Sequence, residues 1–298
     1  MKPSLSVVIP VYNRSAELRR VLESLALQTE KEFDVVVCDD GSSEDIPAVL
    51  SPFNAQLAIQ YVRIPNSGGP ARPRNAAVAA ARGDWIALLD SDDWWDPKYI
   101  ERMQLQLADS CDVVYCRLRV VHAQGAEQQG EQRPCVGDAF EGGLLRQMIV
   151  TGNPIANSAA MVRKAAFDRM GGFCEDRALV EDFDLWLRLA EAGMRFKFVD
   201  EVLGNYWVGA DNISTISSKW VDREIALHQR HMALLPPDLL HLAQACFHDR
   251  MGSLYLRFEK YDDAIAHLQL ARPLPGFRRP VRRLLKLLSS HWKRRKTQ

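Results

Sequence analysis

No stretch of the 298-residue chain holds about 18 consecutive apolar residues, so no segment reads as a membrane-crossing helix. Its apolar opening, "LSVVIPVY", is too short to span and is broken by Pro10. No secretory signal pattern precedes it. The chain also lacks net charge, with 38 Lys and Arg against 38 Asp and Glu, which removes the global electrostatic case for a nucleic-acid partner. Cysteine is sparse: six residues, at 38, 111, 116, 135, 174 and 246, with no CxxC pair and no zinc-ligand spacing. These absences together predict a reducing, cytoplasmic setting. Cys38 ends an apolar run and is expected to be a small buried hydrophobe. There is no GxxxxGK[ST] and no GxGxxG after the first apolar run, which excludes a P-loop and a dinucleotide fingerprint. A sugar nucleotidyltransferase would need an early Gly-rich loop, which is also missing.

What is present is the composition of a globular protein, 47% apolar and 26% charged, long enough for one large domain or two smaller ones. Four short runs rich in Val, Ile and Leu stand out at 5–11, 33–38, 84–89 and 112–116, with a weaker one at 57–64. Near-continuous apolar runs of this length predict strands buried on both faces, hence a parallel sheet. Helical patterns lie between them: 15–28 with Ser15 as N-cap, 71–81 stopped by Arg82-Gly83, and about 97–108 opened by Asp96-Pro97. A short helix is expected over 161–170 and a clear one over 181–193. The alternation predicts a doubly wound α/β domain over 1–218, followed by a helical region over 219–298. The polar stretch 122–134 reads as a connection or hairpin.

In an open α/β sheet, ligands bind outside the carboxyl ends of the strands. Three such ends are polar here: Tyr12-Asn13-Arg14, Asp39-Asp40-Gly41-Ser42 and Asp90-Ser91-Asp92-Asp93. Each alone is ordinary turn material. On one rim they form a carboxylate cluster without Cys or His, which suits a hard cation such as Mg2+ or Mn2+. Such a cation keeps few protein ligands and fills its shell with water and substrate phosphates, which points to a nucleotide-linked substrate. Arg74 and Asn75, in the loop-to-helix stretch "NSGGPARPRN", are expected to face the same rim, where Arg74 would either meet a diphosphate or sit in solvent. Trp94 and Trp95 fit sugar stacking and core packing equally well.

The order of the pieces resembles that of the family 2 glycosyltransferases, inverting enzymes with the GT-A fold. The resemblance runs through most of 1–218 and rests on "LSVVIPVYNRSAELRRVLESLALQT", "VVVCDDGSSEDI", "NSGGPARPRNAAVAAARGDWIALLDSDDWWDP", "ALVEDFDLWLRLAEAG" and "YWVGADNIS". It implies a Rossmann-like, mostly parallel sheet flanked by helices, with a small C-terminal helical region. It implies that Pro10, Tyr12, Asn13 and Asp39 hold the base and ribose, that Glu17 supports the loop, and that Arg74, Asn75, Asp90 and Ser91 complete the nucleotide site. Asp92 would hold the cation, with Asp90 at ribose or metal and Asp93 as a weaker candidate. Asp182 would be the general base with Glu181 beside it; without the resemblance nothing ranks Asp182 above Asp184, since Asp184 and Arg188 fit a plain i,i+4 pair. The implied reaction moves a sugar from a nucleotide-sugar donor, expected to be a UDP-sugar, to a glycan or lipid-linked acceptor hydroxyl in cell-envelope polysaccharide synthesis. One departure stands out. Where the family often has Tyr-Arg-x-His, this chain has Tyr206-Trp207-Val208-Gly209, although Asn212, Ile213 and Ser214 fit. The missing Arg and His keep a second reading open: a non-catalytic or partner-dependent homologue that binds nucleotide in the same pocket.

The last eighty or so residues read differently. "MGSLYLRFEKYDDAIAHLQLARPLP" resembles one tetratricopeptide repeat, with Met251, Gly252, Tyr255, Tyr261, Ala264, Leu268 and Ala271 at its packing positions; an ordinary helical hairpin fits as well. From Phe277 to the end there are nine Lys or Arg and no acid, interleaved with Val281, Leu284, Leu285 and Leu288. That tail suits an anionic membrane surface, giving peripheral contact at the inner face of the cytoplasmic membrane, or a docked helix with a basic end.

Overall fold

The computed structural model describes residues 5–107, 110–122, 143–177, 179–209, 218–232, 235–271, 289 and 292. Most of the polar stretch 122–134, the late positions 212–214 and nearly all of the basic tail lie outside them.

The five predicted runs become strands, and three further strands join them among the described residues. They are β1 (Leu5–Val11), β2 (Asp34–Asp39), β3 (Ala58–Arg63), β4 (Trp85–Leu88), β5 (Trp94–Trp95), β6 (Val113–His122), β7 (Ala160–Arg163) and β8 (Phe196–Val208). They pair in the order β3-β2-β1-β4-β7-β6-β8-β5. Pairs β1/β2, β1/β4, β2/β3 and β6/β8 are parallel. Pairs β4/β7, β6/β7 and β5/β8 are antiparallel. β1, β2 and β4 are buried along their whole length, which is why their sequences are continuous apolar runs rather than alternating ones. β3 lies at the sheet edge and is partly exposed, hence its weaker signal. Pro10 is tolerated inside β1 because pairing to β4 stops at Val8, so no ladder bond on that side needs its missing N–H.

The helices are α1 (Ser15–Ala26), α2 (Ile46–Leu50), α3 (Ala71–Ala80), α4 (Tyr99–Gln104), α5 (Gly143–Thr151), α6 (Lys164–Arg169), α7 (Glu181–Glu191), α8 (Ser218–Met232), α9 (Pro237–Arg257) and α10 (Tyr261–Leu270). α1 buries Leu18, Val21, Leu22 and Leu25, the face expected from their spacing. Together with the strands they form one core that includes Val7, Ile9, Val35, Val37 and Ala87. Cys38 is fully buried, as expected; burial, then Asp40 and Asp39, pushes its thiol up to about 12, which leaves it inert.

Several details of the sequence reading are corrected. Residues 160–163 form the strand β7, and only 164–169 are helical. A four-residue apolar run is ambiguous by periodicity, and here pairing to both β4 and β6 decides it. β5 and the long β8 were not anticipated from the sequence at all. Ser15 is the first helical residue and not the N-cap; the loop carboxylate of Glu44 receives its N–H at 2.8 Å instead. α4 starts at Tyr99 after Lys98 as N-cap, and α3 ends at Ala81 in extended backbone without a glycine cap.

The chain divides into two compact units. One holds Met1–Leu144, Asn153–Arg177 and Glu181–Asn212, and contains the sheet. The other holds Leu145–Gly152, Ala178–Val180 and Ile213–Gln298. In the second, Val221, Phe247 and Met251 form a small apolar core. There α9 and α10 make a helical hairpin whose close approach needs Gly252: a Cβ at that position would lie 2.5 Å from Leu268 Cγ.

Candidate active site

The strand ends converge on one rim because β3, β2, β1 and β4 are parallel neighbours. Beyond β1, Tyr12 is exposed and Asn13 adopts a left-handed backbone, φ 49°. Asn13 ties two loops together. Its N–H donates to Ser42 Oγ at 3.0 Å, and its Oδ1 accepts the Ser43 N–H at 2.8 Å.

Asp39, at the end of β2, is fully buried. Its Oδ1 accepts the Ser42 N–H at 2.8 Å and its Oδ2 accepts the Tyr61 hydroxyl at 2.7 Å, with Arg63 at 3.4 Å. Burial pushes its carboxyl up, but the bonds from Ser42 and Tyr61 and the charge of Arg63 outweigh it and hold the group below the ordinary carboxylate value. Asp40 accepts the Ser67 N–H and hydroxyl at 2.9 and 3.0 Å, which anchors the glycine-rich loop before α3. Gly41 sits between them at φ 78°, and a Cβ there would lie 2.7 Å from the Asn66 nitrogen.

Beyond β4, Asp90 and Asp92 are both ion-paired. Arg74, buried on α3, reaches Asp90 Oδ1 at 2.6 Å with one nitrogen and Glu181 Oε1 at 2.7 Å with another. Burial alone would depress Arg74, but Asp90 and Glu181 reverse this and keep it charged. One guanidinium thus joins the end of β4 to the first residue of α7. Asp92 pairs with Arg14, and the Asp92 carbonyl accepts Arg20 Nη2 at 2.6 Å. Burial first, then the charge of Asp90, pushes the Asp92 carboxyl up, while Arg14 opposes them. Ser91 is buried. Asp93 is buried as well, and its Oδ1 accepts the Trp207 N–H of β8 at 2.8 Å. Burial, then Asp92 and Asp90, raises its carboxyl well above the ordinary value. Asp93 therefore fastens β8 to the rim.

The two tryptophans separate. Trp95 stacks on Tyr99 with ring centroids 3.8 Å apart, is 2% exposed, and donates its Nε1–H to the Ser158 carbonyl. Trp94 is half-buried, and the Arg20 guanidinium lies 4.2 Å from its ring and 4.9 Å from that of Trp207. Glu17, one turn before Arg20, acts on that guanidinium electrostatically.

On α7, Asp182 Oδ2 accepts from Asn153 Nδ2 at 3.0 Å and Oδ1 from the Phe183 N–H at 2.6 Å. Asp184 is fully buried and pairs with Arg188 at 2.7 Å. Arg188 also donates to the carbonyls of Met170 and Gly172. Through Arg188, Asp184 therefore holds the turn that follows α6. Asn75 exchanges hydrogen bonds with the backbone of Phe173 at 2.9 Å, so it positions the same segment.

The geometry therefore links Arg74, Asp90 and Glu181 directly and sets Asp92 close enough to Asp90 to feel its charge, while Asp39 ends the neighbouring part of the rim with its own partners Ser42, Tyr61 and Arg63. It gives Asn13 and Asn75 loop-positioning bonds, and it leaves Pro10 inside the buried strand. Arg20, Tyr61, Arg63, Asn153 and Ser158 were not anticipated. Arg63 and Tyr61 lie on the weakest predicted strand, and Asn153 follows a glycine in a turn-like stretch that carries no chemical pattern. A divalent cation suits the donor set. Asp90 and Asp92 are hard oxygen donors whose mutual repulsion already raises Asp92. Among the described residues no three His, Cys, Asp or Glu side chains enclose a metal by themselves, so water and phosphate oxygens would complete the shell.

The arrangement, a sheet with this polar rim, is that of GT-A proteins. Residues 6–171 match the model of glycosyl transferase family 2, and the chain belongs to that family. Among curated relatives, an uncharacterized glycosyltransferase of Rickettsia felis is 32% identical over 186 residues, covering 62% of this chain and 30% of its own length. The hyaluronan synthase of Pasteurella multocida is 25% identical over 265 residues, 88% of this chain and 25% of its own. The chondroitin synthase of Escherichia coli is 29% identical over 220 residues, covering 71% and 30%. The chain thus spans less than a third of the length of these relatives. Among solved structures, S. aureus TarS 1-349 in complex with UDP-GlcNAc superposes with TM-score 0.63 at 19% identity, covering 98% of this chain and 88% of that one. The mannosyltransferase PcManGT from Pyrobaculum calidifontis, in complex with GDP-Man and Mn2+, gives 0.61 at 19% identity, covering 98% and 86%. At that identity the superpositions establish the fold, as expected from the sequence motifs.

Proposed function

We propose that this chain is an inverting, divalent-cation-dependent glycosyltransferase that moves a hexose from a nucleotide-sugar donor, a UDP-sugar, to an acceptor hydroxyl in cell-surface polysaccharide, lipopolysaccharide or glycolipid synthesis. The observation that carries the reading is the Arg74 bridge between Asp90 and Glu181. It ties the end of β4, where the diphosphate would lie, to the helix whose second residue is the candidate base Asp182. The polysaccharide synthases among the relatives and the UDP-GlcNAc complex of TarS support the acceptor and donor classes.

The division of labour follows from the side chains. Asp39, kept ionised by Ser42, Tyr61 and Arg63, accepts the imide N–H of the base, with Pro10, Tyr12 and Asn13 shaping that end of the pocket. Asp92 and Asp90 would hold a Mn2+ or Mg2+ ion, which would supply Lewis-acid neutralisation of charge on the diphosphate. Arg74 adds a fixed positive charge near the same place. Asp182, oriented by Asn153, takes the proton from the acceptor hydroxyl as that oxygen attacks the anomeric carbon. One carboxylate on the face opposite the leaving group suffices for a single displacement, which inverts configuration.

A second reading, a nucleotide-binding homologue without transferase activity, is favoured by Trp207 and Gly209 standing where Arg and His are expected. Donor turnover with Mn2+ decides between them. The transferase reading requires turnover that disappears in Asp182→Asn while UDP still binds; UDP binding without turnover in the wild-type chain would favour the second.

No helix among the described residues is long and apolar enough to cross a membrane. The basic tail over 277–298 would hold the protein peripherally against an anionic cytoplasmic face, near a lipid-linked acceptor. Liposome flotation of the full chain against a chain ending at 276 tests this, and equal behaviour would sink it.

A further inference from the structure

The stretch 153–158 runs from the candidate base to the end of β4 and is fastened to both. Asn153 uses both ends of its amide: Nδ2 donates to Asp182, and Oδ1 accepts the Ile155 N–H at 3.0 Å. The Ile155 carbonyl accepts the Nε1–H of Trp186 on α7 at 3.1 Å. At the other end, Ser158 Oγ accepts the Asp90 N–H at 3.0 Å, and the Ser158 carbonyl accepts the Trp95 Nε1–H at 2.7 Å. Between these anchors, Asn157 differs. It is 4% exposed, yet its Oδ1 has no hydrogen-bond partner among the described residues. A buried amide oxygen without a donor costs stability, and the fold keeps this one a single residue from the Asp90 anchor.

We propose that Asn157 is a specificity-determining residue that hydrogen-bonds a hydroxyl or acetamido group of the transferred sugar. The inference rests on the nucleotide-sugar reading given above. With the diphosphate at Asp90 and the base at Asp182, the sugar has to lie between them, and the stretch 153–158 spans that distance. A side-chain amide suits the task, because it carries both an acceptor and donors. A half turn about its terminal bond exchanges them, so one residue can accept from or donate to a sugar substituent. Its neighbours Ala156, Ala159 and Ala160 are buried and apolar, and their side chains offer no competing hydrogen bond. The unmet oxygen is then a cost to the free protein that the right sugar relieves. A sugar without the matching group leaves it unmet and binds less well.

The test is calorimetry on the full chain with Mn2+ present, titrating UDP, UDP-glucose, UDP-galactose and UDP-N-acetylglucosamine. It compares the wild type with Asn157→Leu and Asn157→Ala, and melting temperatures are measured on the same preparations. The wild type should distinguish the three sugars. For the one it binds best, affinity relative to that for UDP should fall by about tenfold in both variants, with UDP affinity unchanged. Asn157→Leu keeps a similar shape and removes the unmet oxygen, so its melting temperature should equal or exceed that of the wild type. Equal losses of UDP and UDP-sugar affinity, together with a lower melting temperature in Asn157→Leu, would assign the residue a structural role and overturn the inference. A wild type that treats the three sugars alike, or variants that keep its preference, would overturn it and leave the nucleotide-sugar reading standing. Absence of binding of all four nucleotides to the wild type would overturn both.

Discussion

The guanidinium of Arg74 and the carboxylate of Glu181 meet at 2.7 Å although 107 residues separate them in the chain. Because Asp90 shares the same guanidinium, the pair is a brace between the end of β4 and the start of α7. Removing Arg74 would leave two poorly solvated carboxylates side by side. Arg74→Ala is expected to destabilise the fold by about 3–5 kcal/mol, as broken buried pairs do. Arg74→Lys should recover only part of this, since an ammonium cannot span both carboxylates in one plane. Urea unfolding of the three proteins checks it; a loss below about 1 kcal/mol for Arg74→Ala would show that the brace is solvated.

Asp182→Asn should reduce sugar transfer by roughly 10²–10⁴-fold, the range for removing a general base, with little change in UDP affinity. The amide keeps an acceptor for Asn153, so the fold should be retained. Asn153→Ala should give a smaller loss, because it frees the carboxylate's orientation without removing it. Turnover and UDP calorimetry on the same preparations separate the two effects. Equal turnover in Asp182→Asn and the wild type would remove Asp182 from the chemistry.

Gly41→Ala should loosen the nucleotide end of the rim. The residue is at φ 78°, and its added Cβ would lie 2.7 Å from backbone at Asn66. The left-handed conformation alone costs about 1–2 kcal/mol for a residue with a side chain. A lower melting temperature together with weaker UDP binding is the expected pair of outcomes; an unchanged UDP affinity would mean that this turn does not shape the pocket.

In the helical unit, His228 stacks on Phe247 with centroids 3.7 Å apart. Burial, then Arg250 and His248, pushes its imidazole down to about 3. The unfolded chain titrates near an ordinary value of about 6.5. The folded state therefore binds fewer protons between these limits. The stabilisation is fully present above the unfolded value and is lost as pH falls toward the folded one. His248 and His267, lowered chiefly by burial, act in the same direction. His228→Phe keeps an aromatic ring for the stack but removes the titration. Its unfolding free energy should fall less than that of the wild type between about pH 7.5 and about pH 5. Parallel pH profiles would show that His228 is protonated freely in the folded state.

Sequence alone carried the first half of the sheet and the location of the rim. Continuous apolar runs at 5–11, 33–38 and 84–89 suit strands covered on both faces, and the structure buries the strands they form along their whole length. The family was legible for the same reason, since its motifs sit at those strand ends. What tertiary structure decided lies where local pattern is weak or misleading. The short run 160–163 became a strand because two neighbours offered it hydrogen bonds. Trp94 and Trp95, adjacent and chemically alike, parted because successive strand residues point to opposite sides: one stacks in the core on Tyr99, and the other meets Arg20 at the rim. Asp184 and Asp182, indistinguishable by helix pattern, parted because Arg188 claims the first and Asn153 orients the second. The pairing of Arg14 with Asp92 and of Arg74 with Glu181 could not be read from spacing, because charge partners far apart in sequence are chosen by the fold that brings them together.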